Sequence, residues 1–349
     1  MSTPVRRLRL LALLACLLAG LSAAPSAAPA RAKRSWAQAE IKLVVAHGLM
    51  ADSVAAFRPN DPLTQDELRA LVTELSEESS QPSPPPLAKP GVPVTMAQLD
   101  GRLVRTLGFA DEASLFYQAA VAAGLHPPAR FGTEVVARLL GLRTNHPAGQ
   151  DDLERVPSDP APRAEVAYSV AKVLRLSDWE RQSVEQAAAA FELPALTPWQ
   201  RRILTTAVGF IGFPYVWGGE SELPISPFGI QARGGFDCSG FAWRVYKLQA
   251  YPEAPQLATT LRGRTAAAMA GEVPRRRRVK LGRLAPADLL FFGAGGRRAR
   301  PAQIDHMAIY LGNGWLIQSS RYGVALAPVA GWYDQRLAWG RRPISEAGL

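Results

Sequence analysis

The chain has 349 residues, of which 48% are hydrophobic, and a formal net charge of +10. This length is too great for one ordinary hydrophobic core, so we expect two domains and additional segments. The positive charge favours an anionic polymer as partner. Because no signature of a nucleic-acid-binding fold is present, the sequence argues against nucleic acid as that partner.

The first 32 residues have the pattern of a secretory signal peptide. Arginines precede an apolar run from Leu10 to Leu21, and small residues follow it. The run is too short for a stable transmembrane anchor, so we expect a secreted protein, extracellular or at the cell wall. Cys16 lies within this run, in a loose match to a lipid-attachment motif. Once the signal is removed, Cys238 is the only cysteine, and a lone thiol in an oxidising compartment points to catalysis or burial.

Residues 33–76 form the first predicted helical unit. Apolar side chains on one helical face, from Trp36 to Val45, lead to Gly48 as a C-terminal cap. A turn-rich loop, Phe57–Arg58–Pro59–Asn60–Asp61–Pro62–Leu63–Thr64, then brings Thr64 to the start of a second helix. This succession of helix, loop and capped helix resembles an S-layer homology repeat.

A proline- and serine-rich linker at residues 77–93 separates this unit from a second helical region at residues 94–195. The helix-starting phrase returns there at Val94, Phe131 and Ala161, so we predict an all-α region of degenerate repeats. The resemblance implies binding to a secondary cell-wall polymer through an arginine, which is matched at Arg163 and replaced by Gln65 in the first repeat. The alternative is a scaffold that only spaces the following domain from the wall.

Residues 196–349 differ in composition and predict a mixed helix and sheet domain. A helix from Gln200 to Phe210 comes first, and Cys238 opens a second helix after two glycines. Further on, Asp288 leads into a buried strand, and the apolar runs 304–310 and 315–319 flank a Gly-Asn-Gly turn typical of a β-hairpin.

A cysteine at a helix N-terminus is expected to have a lowered thiol pKa, because free N–H groups and the helix dipole favour the thiolate. His306 is the only histidine of this half and begins the hairpin, where Gln318 is predicted to lie near it across the ladder. A thiol, an imidazole and a group that orients the ring are what nucleophilic thiol catalysis requires. We expect His306 to take the thiol proton and the Cys238 N–H, with the Tyr215 hydroxyl, to stabilise the oxyanion.

Four motifs in this order resemble the NlpC-type cell-wall cysteine peptidases: Pro214–Tyr215–Val216–Trp217–Gly218–Gly219, Phe236–Asp237–Cys238–Ser239–Gly240–Phe241, Asp288–Leu289–Leu290–Phe291–Phe292 and Asp305–His306–Met307–Ala308–Ile309–Tyr310–Leu311–Gly312–Asn313–Gly314. The resemblance implies a papain-like fold that cleaves peptidoglycan stem peptides, typically beside D-glutamate. It implies Cys238 as nucleophile, His306 as base and Gln318 at the ring-orienting position.

The resemblance also implies substrate-binding residues around the cysteine, namely Asp237, Ser239, Trp217 and Arg264, with Asp237 a partner for a free stem-peptide amine. Asp237 as a plain helix cap, and Tyr215 and Trp217 as core aromatics, are the simpler alternatives.

The sequence thus predicts an α+β chain: an all-α repeat region followed by a papain-like domain in which the cysteine helix packs on an antiparallel sheet. It predicts a secreted peptidoglycan endopeptidase without a metal or organic cofactor, held at the wall by its repeats. Two alternatives remain open, a wall-polymer-binding surface protein without catalysis and a thiol-dependent transacylase. Whether the loop Glu220–Gly235 gates the site is left open as well.

Overall fold

The computed structural model describes residues 34–79, 91–145, 155–224 and 234–349, and helices make up most of the described residues before residue 210. The predicted signal peptide, Cys16, most of the predicted linker and residues 225–233 of the loop Glu220–Gly235 lie outside the described residues. The helices are α1 (Gln38–Ala46), α2 (Gln65–Ser79), α3 (Met96–Thr106), α4 (Ala110–Ala122), α5 (Phe131–Leu139), α6 (Arg163–Leu174), α7 (Asp178–Ala190) and α8 (Pro198–Gly209).

Local capping sets where several of these helices begin. The Thr64 hydroxyl accepts a hydrogen bond from the Glu67 N–H at 3.4 Å, and the Glu67 carboxylate accepts one from the Thr64 N–H at 2.8 Å. Thr95 and Gln98 form the same reciprocal pair at the start of α3. Each pair satisfies two backbone donors that a helix N-terminus leaves open. The predicted starts of α2 and α3 are confirmed.

Three segments that precede α2, α3 and α6 are joined in a closed ring of backbone hydrogen bonds. The Leu63 N–H donates to the Ala161 carbonyl at 2.8 Å, Ala161 donates to Val94 at 2.7 Å, and Val94 donates back to Leu63 at 2.8 Å. The ring relates these helix starts by an approximate three-fold arrangement. Phe131, predicted as an equivalent start, instead donates its N–H to Pro128 and opens α5.

The second half of the chain is built on an antiparallel sheet in the strand order β6-β5-β4-β3-β7. Its strands are β3 (Leu289–Gly293), β4 (Ile304–Gly312), β5 (Trp315–Ser320), β6 (Gly323–Pro328) and β7 (Leu337–Arg341). All five residues of β3 are buried. A two-stranded sheet of β1 (Glu220–Ser221) and β2 (Gly235–Phe236) precedes α9 (Cys238–Trp243), which packs on β4 and β5. The shorter helices of this half are α10 (Leu257–Thr260), α11 (Ala266–Gly271), α12 (Trp332–Arg336) and α13 (Pro343–Glu346).

The predicted hairpin of β4 and β5 is confirmed, with a register that a bulge modifies. Asn313 and Gly314 have φ values of 46° and 79°, the left-handed region that tight hairpin turns need. Ile309 pairs with Ile317, but the register shifts between Tyr310 and Gly312. Continuing the Ile309–Ile317 register places Gln318 diagonally across from His306, on the same face of the sheet.

The helical region and the sheet share one hydrophobic core. Trp315 of β5 packs edge-on against Phe116 of α4 and Phe191, with ring centroids 6.0 and 5.0 Å apart. Arg138 of α5 donates to the Gly212 carbonyl at 2.6 Å and also to the Tyr322 carbonyl. Residues from Arg34 onward therefore pack as one unit. None of the helices in the described ranges combines the length and apolarity needed to cross a bilayer.

Candidate active site

Cys238 is the first residue of α9, as predicted. The Asp237 carboxylate caps the helix and accepts a hydrogen bond from the Gly240 N–H at 2.5 Å. A Cβ on Gly240 would lie 1.8 Å from the Gly219 carbonyl oxygen, so only glycine lets this helix approach the preceding loop so closely. The thiol is partly buried and faces the sheet through the contact of α9 with β4.

Burial raises the pKa of the Cys238 thiol to about 12, and the negative charge of Asp237 adds to this effect. The backbones of Met307 and Ser239 and the charge of Arg264 act in the opposite direction and lower the thiol pKa, but they do not outweigh burial. The thiol is therefore protonated at rest. This differs from the lowered pKa expected at a helix N-terminus. Desolvation destabilises the thiolate by more free energy than the N-terminus of the helix stabilises it.

His306, the third residue of β4, lies in an aromatic enclosure. Its ring centroid is 5.7 Å from that of Phe292, 5.8 Å from that of Trp332 and 6.3 Å from that of Tyr333. Burial lowers the pKa of the imidazole to about 4, against the smaller opposing effects of Gln318 and Asp305. The ring is thus neutral at physiological pH and able to accept a proton.

Gln318 determines which nitrogen of His306 can act as the base. Its Nε2 donates to the Tyr333 hydroxyl at 2.6 Å and to the Ser320 hydroxyl at 3.1 Å. Its Oε1 lies 2.5 Å from His306 Nε2 and must accept the hydrogen there. Nε2 of the imidazole therefore carries the proton, which leaves Nδ1 as the free acceptor.

Tyr215 lies beside the cysteine, in a parallel bridge with Phe236. The pKa of its partly buried hydroxyl is raised by burial first, and then by the charges of Cys238 and Asp237. The hydroxyl is therefore protonated at neutral pH. It is close enough to Cys238 for a negative charge on the sulfur to raise its pKa. Such a group can donate a hydrogen bond to negative charge that develops near the sulfur.

The residues predicted to bind substrate divide into two groups. Asp237 and Ser239 are buried, and Arg264 donates to Asp237 Oδ1 at 3.1 Å and to the Ser239 hydroxyl at 2.9 Å. Arg264 also donates to the Gly218 and Gly219 carbonyls and pairs with Glu220 at 2.6 Å. This network joins α9 to the loop before it. Trp217, in contrast, is 71% exposed and offers its ring to solvent.

Several residues of the site were not selected from the sequence. The Met307 backbone lowers the thiol pKa, Phe292 and Trp332 enclose the imidazole, and the Tyr333 hydroxyl accepts a hydrogen bond from Gln318. The aromatic pair at 332–333 is visible in the sequence, but its place over His306 depends on the turn of the chain after β6.

Residues 212–342 match the NlpC/P60 family. This part of the chain is an NlpC/P60 domain. Peptidases of the family are cysteine-type hydrolases. The match covers the four motifs that suggested this resemblance and does not include the helical region, for which the resemblance to S-layer homology repeats stays a prediction.

Two curated relatives align with this chain over 136 and 148 residues. Murein DD-endopeptidase MepH of Escherichia coli is 32% identical over 136 residues, 38% of this chain and 42% of MepH. Gamma-D-glutamyl-L-lysine dipeptidyl-peptidase of Bacillus subtilis is 34% identical over 148 residues, 41% of each chain. This chain thus spans about two fifths of these relatives' lengths. A crystal structure of an NlpC/P60 family protein from Bacillus cereus aligns at a TM-score of 0.31 with 27% identity, over 43% of this chain and 41% of that one.

Proposed function

We propose that the NlpC/P60 domain hydrolyses amide bonds of peptidoglycan stem peptides, with Cys238 as nucleophile and His306 as base. The observation that carries the proposal is the packing of α9, which begins at Cys238, on β4, the strand that contains His306; the Met307 backbone, next to His306, is close enough to lower the pKa of the thiol. The papain-like arrangement of cysteine helix and antiparallel sheet is part of the proposal, and the packing of α9 on β4 and β5 supports it.

The reaction follows from the protonation states of the two groups. His306 Nδ1 accepts the thiol proton while the sulfur forms a bond to the carbonyl carbon of the substrate. The C–N bond then breaks, and His306 returns the proton to the leaving amine. Water, deprotonated by His306, hydrolyses the thioester and frees the Cys238 thiol. Tyr215 and the Cys238 N–H stabilise the oxyanion in both steps.

Gln318 acts as a positioning residue in this scheme. Its amide carries no charge, so it orients the ring through Nε2 but gives less electrostatic support to the imidazolium than a carboxylate would. Because the resting thiol pKa lies far above that of His306, we propose that proton transfer accompanies attack on bound substrate and that no thiolate is stored beforehand.

The substrate class follows from the relatives. One is named as a murein DD-endopeptidase and another as a gamma-D-glutamyl-L-lysine dipeptidyl-peptidase. Following the second name, we propose a stem-peptide bond next to D-glutamate as substrate. We propose further that the protein is secreted and that its helical region, residues 33–195, holds the enzyme at the wall.

The test is digestion of defined muropeptides by the full chain and its Cys238→Ala variant, with products read by mass spectrometry. We expect the variant to lose about 10⁴-fold or more in kcat, since the nucleophile is gone. A Ser345→Ala variant in α13 should keep wild-type turnover. Thermal unfolding of each variant verifies the fold.

Equal digestion by Cys238→Ala would contradict the proposal and favour a wall-binding protein without catalysis. Products that carry an added amine instead of water would favour the transacylase.

A further inference from the structure

A cavity of about 930 Å³ lies at the β7 edge of the sheet, away from the thiol. Five cationic side chains line it: Arg275, Arg278, Lys280, Arg297 and Arg298. Among the described residues that line the cavity, none is acidic. Such a concentration of one sign of charge in a concave site raises the local concentration of anions.

Most of these cations are free to bind a ligand. Arg275, Arg297 and Arg298 are exposed, and within the described ranges none of the three forms an ion pair. Arg278 differs, because its guanidinium stacks 3.6 Å from the centre of the Trp339 ring, and both residues line the cavity. Arg275 and Arg278 therefore meet Arg297 and Arg298, which lie about twenty residues further along the chain, in the lining of one cavity.

Apolar side chains also line the cavity, namely Leu281, Leu337 and Ala338. Several guanidinium groups in one cavity suit a chain of phosphates, and apolar lining suits the carbon faces of sugars or polyols. A membrane surface fits less well. The large exposed hydrophobic side chains of the described residues, such as Trp217 and Leu223, do not line this cavity, so nothing at its rim would insert into lipid.

We propose that this cavity binds a segment of a phosphate-bearing glycopolymer. The site is separate from the catalytic machinery but close to it, because Leu337 pairs with Phe292 across β7 and β3, and Phe292 pairs with His306 across β3 and β4. A wall polymer held there keeps the enzyme on peptidoglycan that carries such polymers. The proposal does not depend on the hydrolase activity and can be tested in its absence.

The experiment measures binding of the full-length protein to a poly(glycerol phosphate) that carries sugar substituents, by isothermal titration calorimetry. The test variant is Arg275→Gln/Arg297→Gln/Arg298→Gln. The matched control, Arg105→Gln/Arg201→Gln/Arg262→Gln, removes the same charge from exposed positions that do not line the cavity. We expect the test variant to bind at least about tenfold more weakly than wild type, with a smaller salt dependence, and the control to bind within about twofold of wild type.

Four outcomes would overturn the proposal: no binding by the wild type, equal weakening in both triple variants, equal binding of polyglutamate, and preferred binding to vesicles of phosphatidylcholine and phosphatidylglycerol. The third would show an unspecific polyanion site and the fourth a membrane surface. Circular dichroism and thermal unfolding of both triple variants ensure that a loss of binding is not a loss of fold.

Discussion

At the scale of single residues, burial decides the charge state of the proposed catalytic pair. Cys238 begins a helix, and the backbones of Met307 and Ser239 favour its thiolate, yet the pKa of the thiol is about 12. His306 is enclosed by aromatic rings, and its pKa is about 4. Both shifts disfavour the charged form of the group, so the resting pair is neutral over the physiological range.

This charge state predicts how the thiol reacts with iodoacetamide at different pH. A raised pKa means that the thiolate fraction is small at neutral pH and grows about tenfold with each pH unit. We expect the alkylation rate of Cys238, followed by mass spectrometry, to rise steadily between roughly pH 7 and pH 10. The rate of an unperturbed cysteine, with a pKa of about 8.5, levels off as the pH approaches about 10. A cysteine peptide serves as the reference. A rate that is already constant from about pH 5 would indicate a resting pair of thiolate and imidazolium. This would contradict the neutral pair that burial predicts.

At the scale of elements, the position of α9 depends on close backbone contact. Gly240 faces the Gly219 carbonyl, and the Asp237 N–H donates to that same carbonyl at 3.0 Å. Arg264 donates to it as well, at 3.1 Å. The helix that carries the thiol is thereby tied to the loop that carries Tyr215 and Trp217, and a shift of the helix would move the sulfur relative to β4.

We therefore predict opposite effects for two glycine-to-alanine substitutions in helices. Gly240→Ala should lower the free energy of unfolding by about 1–3 kcal/mol and reduce turnover, because the new methyl group overlaps a backbone oxygen. Gly209→Ala in α8, where the Cβ meets nothing within 4 Å, should leave stability unchanged or raise it by about 0.5 kcal/mol. Urea denaturation and muropeptide turnover measure both effects. Equal stability of the two variants would show that α9 can move away without cost.

At the scale of the whole molecule, the helical region is part of the structure that carries the site. The shared core crosses the domain boundary predicted at residue 196. Arg130 donates to the Ile211 and Gly209 carbonyls, and Arg138 holds the carbonyl of Gly212, three residues before Tyr215. Arg138 also pairs with the buried Glu134 at 3.5 Å. The helices thus support the segment that leads into the proposed oxyanion site.

Removing one partner of this buried pair should destabilise the full chain. Arg138→Met leaves the Glu134 carboxylate without its cation and frees two carbonyls, for which we expect a loss of about 3–5 kcal/mol in the free energy of unfolding. The double variant Glu134→Gln/Arg138→Met should recover part of this loss, since neither member of the pair is then left as a buried charge without the other. Urea denaturation gives both values. If the single variant were as stable as wild type, the contact between helices and domain would carry no energetic weight.

Features with a local cause could be predicted from the sequence alone. The capping residues Thr64 and Thr95, the turn at Asn313–Gly314 and the start of α9 at Cys238 depend on hydrogen bonds or φ angles within a few residues. Gln318 beside His306 was also within reach, because a hairpin brings together residues whose spacing the turn determines. The match to the NlpC/P60 family rests on motifs of the same local kind.

Only the tertiary structure decided what depends on distant neighbours. Burial keeps the Cys238 thiol protonated and the His306 imidazole neutral. Desolvation depends on everything packed around a group and not only on its own segment. The tertiary structure placed Trp332 and Tyr333 over His306, turned Arg264 inward, and joined residues 275–282 to residues 297–299 in one cationic cavity. The sequence near these arginines does not show that their loops are neighbours in space. The burial of the apolar strands β3 and β7 brings the loops together.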